Sequence, residues 1–155
     1  MEVQVAAPSA PSPQPLINFF KTHEVDAKKE TDGVEINING AIFTCRRAGG
    51  TNRRYRLVLS MASEKYKDKL LSDDMELQLE GEDLSTLEAF ADSVVVNWRN
   101  VAGRDGQEMP FTRDNFIMLM KACPDLWVEL RLEARAVSNF RVQTIVEQGE
   151  SLGNS

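Results

Sequence analysis

Few side chains in this 155-residue chain are of types that carry out chemistry, and their spacing limits what they can do. The only histidine, His23, lies in a polar N-terminal stretch far in sequence from any nucleophile. A Ser/His/Asp or Cys/His apparatus would have to recruit it from a segment that does not pack. Cys45 and Cys123 form neither a CxxC pair nor a small disulfide framework, so both read as free thiols. Cys123 ends an apolar helical stripe, where a core role is expected. Cysteine and histidine are together too few for a structural zinc site. Asp73-Asp74 could in principle hold a divalent ion, but in a run of acids a solvated surface is the better reading. No GxxxxGK[ST] or GxGxxG is present, and Gly49-Gly50 is read as lacking the strand–loop–helix setting of a phosphate cradle. Asp105-Gly106 has neither a partner base nor the ligand offsets of a calcium loop, so it reads as a turn. The expectation is a protein with no catalytic residues, no metal and no cofactor.

The charge is unevenly spread around a net of −6. Arg46, Arg47, Arg53, Arg54 and Arg56 cluster without an acid among them, whereas residues 68–92 hold nine acids against Lys69 alone. Two solvated faces that partly satisfy each other, within the fold or across a dimer, account for this. An electrostatically steered protein surface is the sharper alternative. A net acidic chain argues against a dedicated nucleic-acid binder. Residues 113–122 and 125–140 superficially resemble a helix-turn-helix. The second helix, however, would begin Asp125-Leu126-Trp127-Val128-Glu129, which lacks donors for phosphate and base edges.

The elements that must position these residues follow from periodicity and punctuation. Residues 1–32 are expected to form a disordered arm rich in Pro, Ala and Ser at its start, with four of the six prolines in the first fifteen positions. Within it, Leu16, Ile17, Phe19 and Phe20 make an apolar knot that fits a short docked element and a partner-binding motif equally well. VEINI and AIFTC alternate around Asn39-Gly40, a strong hairpin signal. Residues 52–71 read as one helix with Tyr55, Leu59, Ala62, Tyr66 and Leu70 on one stripe. SDDMELQLEGED is ambiguous among loop, strand and helix approach. Ser85-Thr86-Leu87-Glu88 fits a capping box for a helix whose face is Leu87, Phe90, Ala91, Val94, Val95 and Trp98, ending near Val101. Thr112 caps a helix over 113–122. Pro124 opens a last one, with Leu126, Leu130, Ala134 and Val137 in line, which VQTIVEQ could prolong. The expected fold is mainly α with a small N-terminal β-hairpin (α+β). It comprises one globular domain over 33–142 and a frayed tail over 143–155.

The run from Val94 to Phe140 is also similar to the C-terminal half of tail assembly chaperones of long-tailed, siphophage-type bacteriophages and prophages. The resemblance rests on Val94-Val95-Val96-Asn97-Trp98, then Val101 and Asp105-Gly106. It continues with the cap Pro110-Phe111-Thr112, Asp114 and Asn115, and closes with Pro124-Asp125-Leu126 and Asn139-Phe140. The chain departs from the pattern at Asn97, where a small residue is common, and at Gly103, where an acid often stands. The resemblance implies a non-enzymatic protein of the infected or lysogenic host's cytoplasm, absent from the mature virion. It would bind the tape-measure protein, keep it soluble and promote assembly of the tail-tube protein around it. A frameshifted longer form of the same protein is common in such systems. No membrane partner is expected, a nucleic-acid partner is not favoured by the charge, and homo-oligomerisation is compatible with this reading. Leu16, Ile17, Phe19, Phe20 and Trp127 are then the candidate partner contacts. Trp98, Asp105, Gly106, Pro110, Phe111, Thr112, Asn115, Pro124 and Leu126 form its structural motif. The alternatives are a small nucleic-acid-binding regulator and a structural tail component retained in the virion.

Overall fold

The computed structural model describes residues 13–142. Strands β1 (Val34–Ile38) and β2 (Ala41–Cys45) pair antiparallel, with Ile38 opposite Ala41. Asn39 and Gly40 make the turn with φ of 54° and 96°, the left-handed pair a two-residue hairpin needs. Ile36, Ile38, Phe43 and Cys45 are buried on one face, as the alternation requires.

The hairpin is not alone. Val95–Arg99, expected as the end of a helix, is a third strand (β3) paired antiparallel with β2, so the sheet order is β1-β2-β3. Thr44 faces Asn97 while Cys45 faces Val95, which leaves Val96 as a bulge. That bulge explains the misleading pattern. Residues 94, 95 and 98 are buried at a spacing that suits a helix face, and also suits a strand with one extra residue. Three consecutive valines lose rotamer freedom in a helix and favour the extended form.

The helix preceding β3 is also longer than expected. It runs Met75–Ser93 (numbered α5 in chain order), capped by the Asp74 carboxylate on the Glu76 amide at 3.0 Å. The capping box at Ser85 does not form. The Ser85 hydroxyl is buried inside the helix and donates to the Gly81 carbonyl at 2.7 Å. Good helix formers upstream carry the helix through it. The expected single helix over 52–71 is two, α3 (Arg53–Lys65) and α4 (Lys67–Leu70), breaking at Tyr66. Tyr66 donates its hydroxyl to Glu88 at 2.6 Å, and Lys65 reaches the same carboxylate at 2.8 Å. Burial works to raise the pKa of Glu88, but these hydrogen bonds outweigh it and hold the carboxyl below its ordinary value.

Helix α6 (Arg113–Ala122) starts at the Thr112 cap as expected, and α7 (Pro124–Arg135) follows after Cys123 alone. Helix α7 is shorter than expected: Ala136 breaks it, and Val137–Phe140 form a 3-10 turn. Arg141 then bridges Val25, so the residues just after Phe140 do not prolong a helix. The expected tail over 143–155 lies outside the described residues.

The arm divides. Leu16, Ile17, Phe19 and Phe20, the last two on the short helix α1 (Phe19–His23), are all exposed. Residues from Glu24 onward belong to the domain rather than to the arm. The Asp26 amide donates to Phe140, the Val142 amide donates to Glu24, and helix α2 (Ala27–Asp32) buries Glu30. Arg47 pairs with that carboxylate at 3.1 Å, and the Thr51 hydroxyl donates to it. Replacing Glu30 by alanine leaves Arg47 half-buried and unpaired. It should cost about 3 kcal/mol in urea unfolding. A loss below about 1 kcal/mol would mean that α2 is not held by this carboxylate.

Candidate interaction surface

Seven of the described segments pack around a chain of rings. Phe90 meets Tyr55 at 5.8 Å and Trp127 at 4.8 Å between centroids, both edge-on. Phe116 joins Trp127 to Trp98, which packs on Phe43 and Phe111. Trp127, expected as a partner contact, is therefore core, being 6 % exposed. Only its rim reaches the surface, as part of the floor of a groove.

That groove runs between the first half of α5 and the α6–α7 junction and encloses about 430 Å³. Leu87, Met120 and Trp127, all buried, form its floor, and Leu79, Leu84 and Pro124 its apolar walls. Glu76, Glu80 and Asp83 fall at i, i+4 and i+7 on α5, so they stack on one rim. The opposite face of α5 explains this orientation. A Cβ on Gly81 would lie 3.0 Å from the Lys69 Cβ and 3.2 Å from the Leu70 side chain, so α4 seats closely there and turns the acidic face outward. Arg131 contacts two of the lining residues. Its guanidinium stacks 4.8 Å above the Trp127 ring and lies 3.6 Å from Asp83. Lys69 reaches Glu80 at 3.1 Å from the other side. Exposed apolar residues continue the surface along both helices: Met75 one turn before Leu79, and Val128 and Leu132 in line with Pro124.

The motif residues assemble a corner next to this surface. The Trp98 indole donates to the Met109 carbonyl at 2.8 Å, while Phe111 packs edge-on against its ring. The Met109 amide returns to Val101 and the Gly106 amide to Gly103, closing a tight loop around Asp105. Asp105 accepts from the Gln107 amide at 3.0 Å. Asn115 receives the Thr112 cap on its amide and donates its side chain to Pro110 at 2.9 Å. Leu126 is partly buried against the core. The expected turn at Asp105-Gly106 is present, with its polar groups spent on the backbone.

The chemistry-bearing residues stay apart. His23 sits on α1 beside Thr22, and Cys45 is fully buried, its thiol pushed up to about 12 by burial. Cys123, expected in the core, is exposed at the α6–α7 junction, because the chain turns there. Among the described residues no group of three or more His, Cys, Asp and Glu side chains could hold a metal ion. No described helix is long and apolar enough to cross a membrane. Gly49-Gly50 does connect a strand to a helix, contrary to expectation. The carboxylate gathered beside that loop, however, is the chain's own Glu30, held by Arg47 and Thr51. Helix α7 buries Trp127, Leu130 and Ala134 against the domain and exposes Asp125, Val128, Glu129 and Leu132, a face without basic donors at its N-terminal end. The groove itself was missed from sequence. Its signal was present as acids at 76, 80 and 83 interleaved with Leu79, Leu84 and Leu87, but the alternation of Met75, Leu77 and Leu79 masked it.

A family model described as YdaY prophage protein matches residues 50–152, well over half of the chain. No curated protein and no solved structure matches it.

Two outcomes follow from the corner and the thiols. Gly106 has φ of 77° with open space where a Cβ would stand, so Gly106→Ala should cost only the left-handed backbone penalty, about 1 kcal/mol in urea unfolding. An unchanged midpoint would show that the loop adapts without strain. In the native protein a thiol-reactive chromophore should modify Cys123 at once and Cys45 only on unfolding. Fast reaction of both would contradict the burial of Cys45.

Proposed function

The chain belongs to the YdaY prophage protein family, and from that premise we propose that it is a tail assembly chaperone that holds apolar segments of a tape-measure protein. The acid-rimmed groove carries this reading. It offers buried aromatic and aliphatic floor atoms within a charged, soluble frame, the surface a holdase needs to cover a client without aggregating itself. The exposed Leu16, Ile17, Phe19 and Phe20 supply a second, tethered apolar contact. The resemblance of residues 94–140 to tail assembly chaperones supports the same reading. In this role the protein works in the cytoplasm of the bacterial host, keeps the tape measure soluble while tail-tube protein polymerises around it, and leaves before the particle is complete. No step requires a cofactor.

Co-expression with the tape-measure protein of the same prophage tests the proposal. The tape measure should shift from the pellet to the soluble fraction and co-purify with the chaperone, and mass spectrometry of finished particles should not detect the chain. Stoichiometric amounts in purified virions would instead assign it a structural place in the tail. A tape measure that is equally insoluble with and without the chain would end the chaperone reading.

A further inference from the structure

Resting on that reading, we infer that the groove between α5 and the α6–α7 junction selects a basic amphipathic helix. Acids predominate on its α5 rim. Residues 73–83 carry six acids and no base, and Glu76, Glu80 and Asp83 line the groove against Lys121. Glu80 and Asp83 stay half-exposed or more despite their contacts with Lys69 and Arg131. Residues i and i+4 on a helix are neighbours, so the rim acids form a ladder with one-turn spacing. A docked helix with Lys or Arg at the same spacing meets each rung, and its apolar stripe faces Leu79, Leu84 and Trp127. An extended segment, with side chains alternating every second residue, matches neither repeat. The contact is the helix-in-groove mode, in which apolar anchors supply affinity and rim charges supply orientation and encounter rate. An acidic amphipathic helix of equal hydrophobicity is repelled by the same ladder, so the groove discriminates clients by charge.

The test uses the full chain with a synthetic Leu/Lys amphipathic helix and a matched Leu/Glu helix as probes. Trp127 fluorescence reports occupancy, because its ring floors the groove. The Leu/Lys peptide should bind and the Leu/Glu peptide should bind about tenfold more weakly or not at all, the difference shrinking at high salt. The double substitution Glu76→Gln/Glu80→Gln, on exposed positions, should abolish the preference, and Leu79→Ser should weaken both peptides with circular dichroism unchanged. Equal binding of the two peptides, or a preference that survives the double substitution, overturns the inference. So does a self-associated wild-type protein that Leu79→Ser turns into a monomer, since a second copy would then own the groove. The two readings fail separately. Tape-measure capture that is indifferent to all three groove substitutions leaves the chaperone function standing without this site. Peptide selection without tape-measure capture does the reverse.

Discussion

The edge-on contact of Phe90 with Trp127 at 4.8 Å is the joint on which the rest of the domain depends. An edge-to-face pair fixes orientation as well as distance, so it sets the angle between α5 and α7. From Phe90 the contact passes to Tyr55 on α3, and from Trp127 through Phe116 to Trp98 on β3. Helices and sheet are thereby registered on one run of rings. The groove is the outer lip of that joint. At its floor Trp127 meets Phe90 and Phe116 edge-on and carries the Arg131 guanidinium over its ring.

A second constraint comes from the buried carboxylate of Glu30. A negative side chain this poorly exposed needs partners, and Arg47 and Thr51 provide them from the loop that leads into α3. The arginine-rich stretch thus has internal work. Arg46 also donates to the Thr31 carbonyl, and Arg54 to that of Asp92. The acids of α5 take their partners from other elements instead: Lys69 meets Glu80, Arg131 meets Asp83, Lys65 meets Glu88 and Arg113 meets Asp92. The charge asymmetry visible in the sequence is thus in part a structural device on the basic side, where arginines bond to the chain's own carbonyls and to Glu30.

What the sequence made legible were the features settled by local chemistry. Asn39-Gly40, the Thr112 cap, Pro124 at the start of α7 and the Asp105-Gly106 turn each depend on neighbours within a few residues, and each is where its residue types put it. The misreadings share another cause. Whether Val95–Trp98 is helix or strand depends on β2, some fifty residues earlier in the chain, which offers an open edge for pairing. Whether Ser85 caps or merely interrupts depends on Gly81 letting α4 seat against α5. How deeply Trp127 sits could not be read either, because one helix's periodicity cannot tell which side its neighbours cover. The docking of α2 was hidden for the same reason: its decisive partner, Arg47, comes from another element.

The reach of the family match gives these long-range contacts further weight. It begins at Gly50, after the hairpin, yet β2 is the central strand of the sheet. The Arg46 amide donates to Val94 and the Ala48 amide to Ala134, so the segment before the matched region ties the end of α5 to α7. Phe43 packs edge-on against Trp98, and Cys45 is fully enclosed in the same core. Residues 50–152 alone would leave one face of Trp98 bare and the inner edge of β3 without hydrogen-bond partners, at a cost no surface helix offsets. The folding unit is thus larger than the matched region and includes the hairpin and α2. The N-terminal knot from Leu16 to Phe20 is different in kind. Its apolar side chains are exposed, and α1 contributes no buried residue to the core.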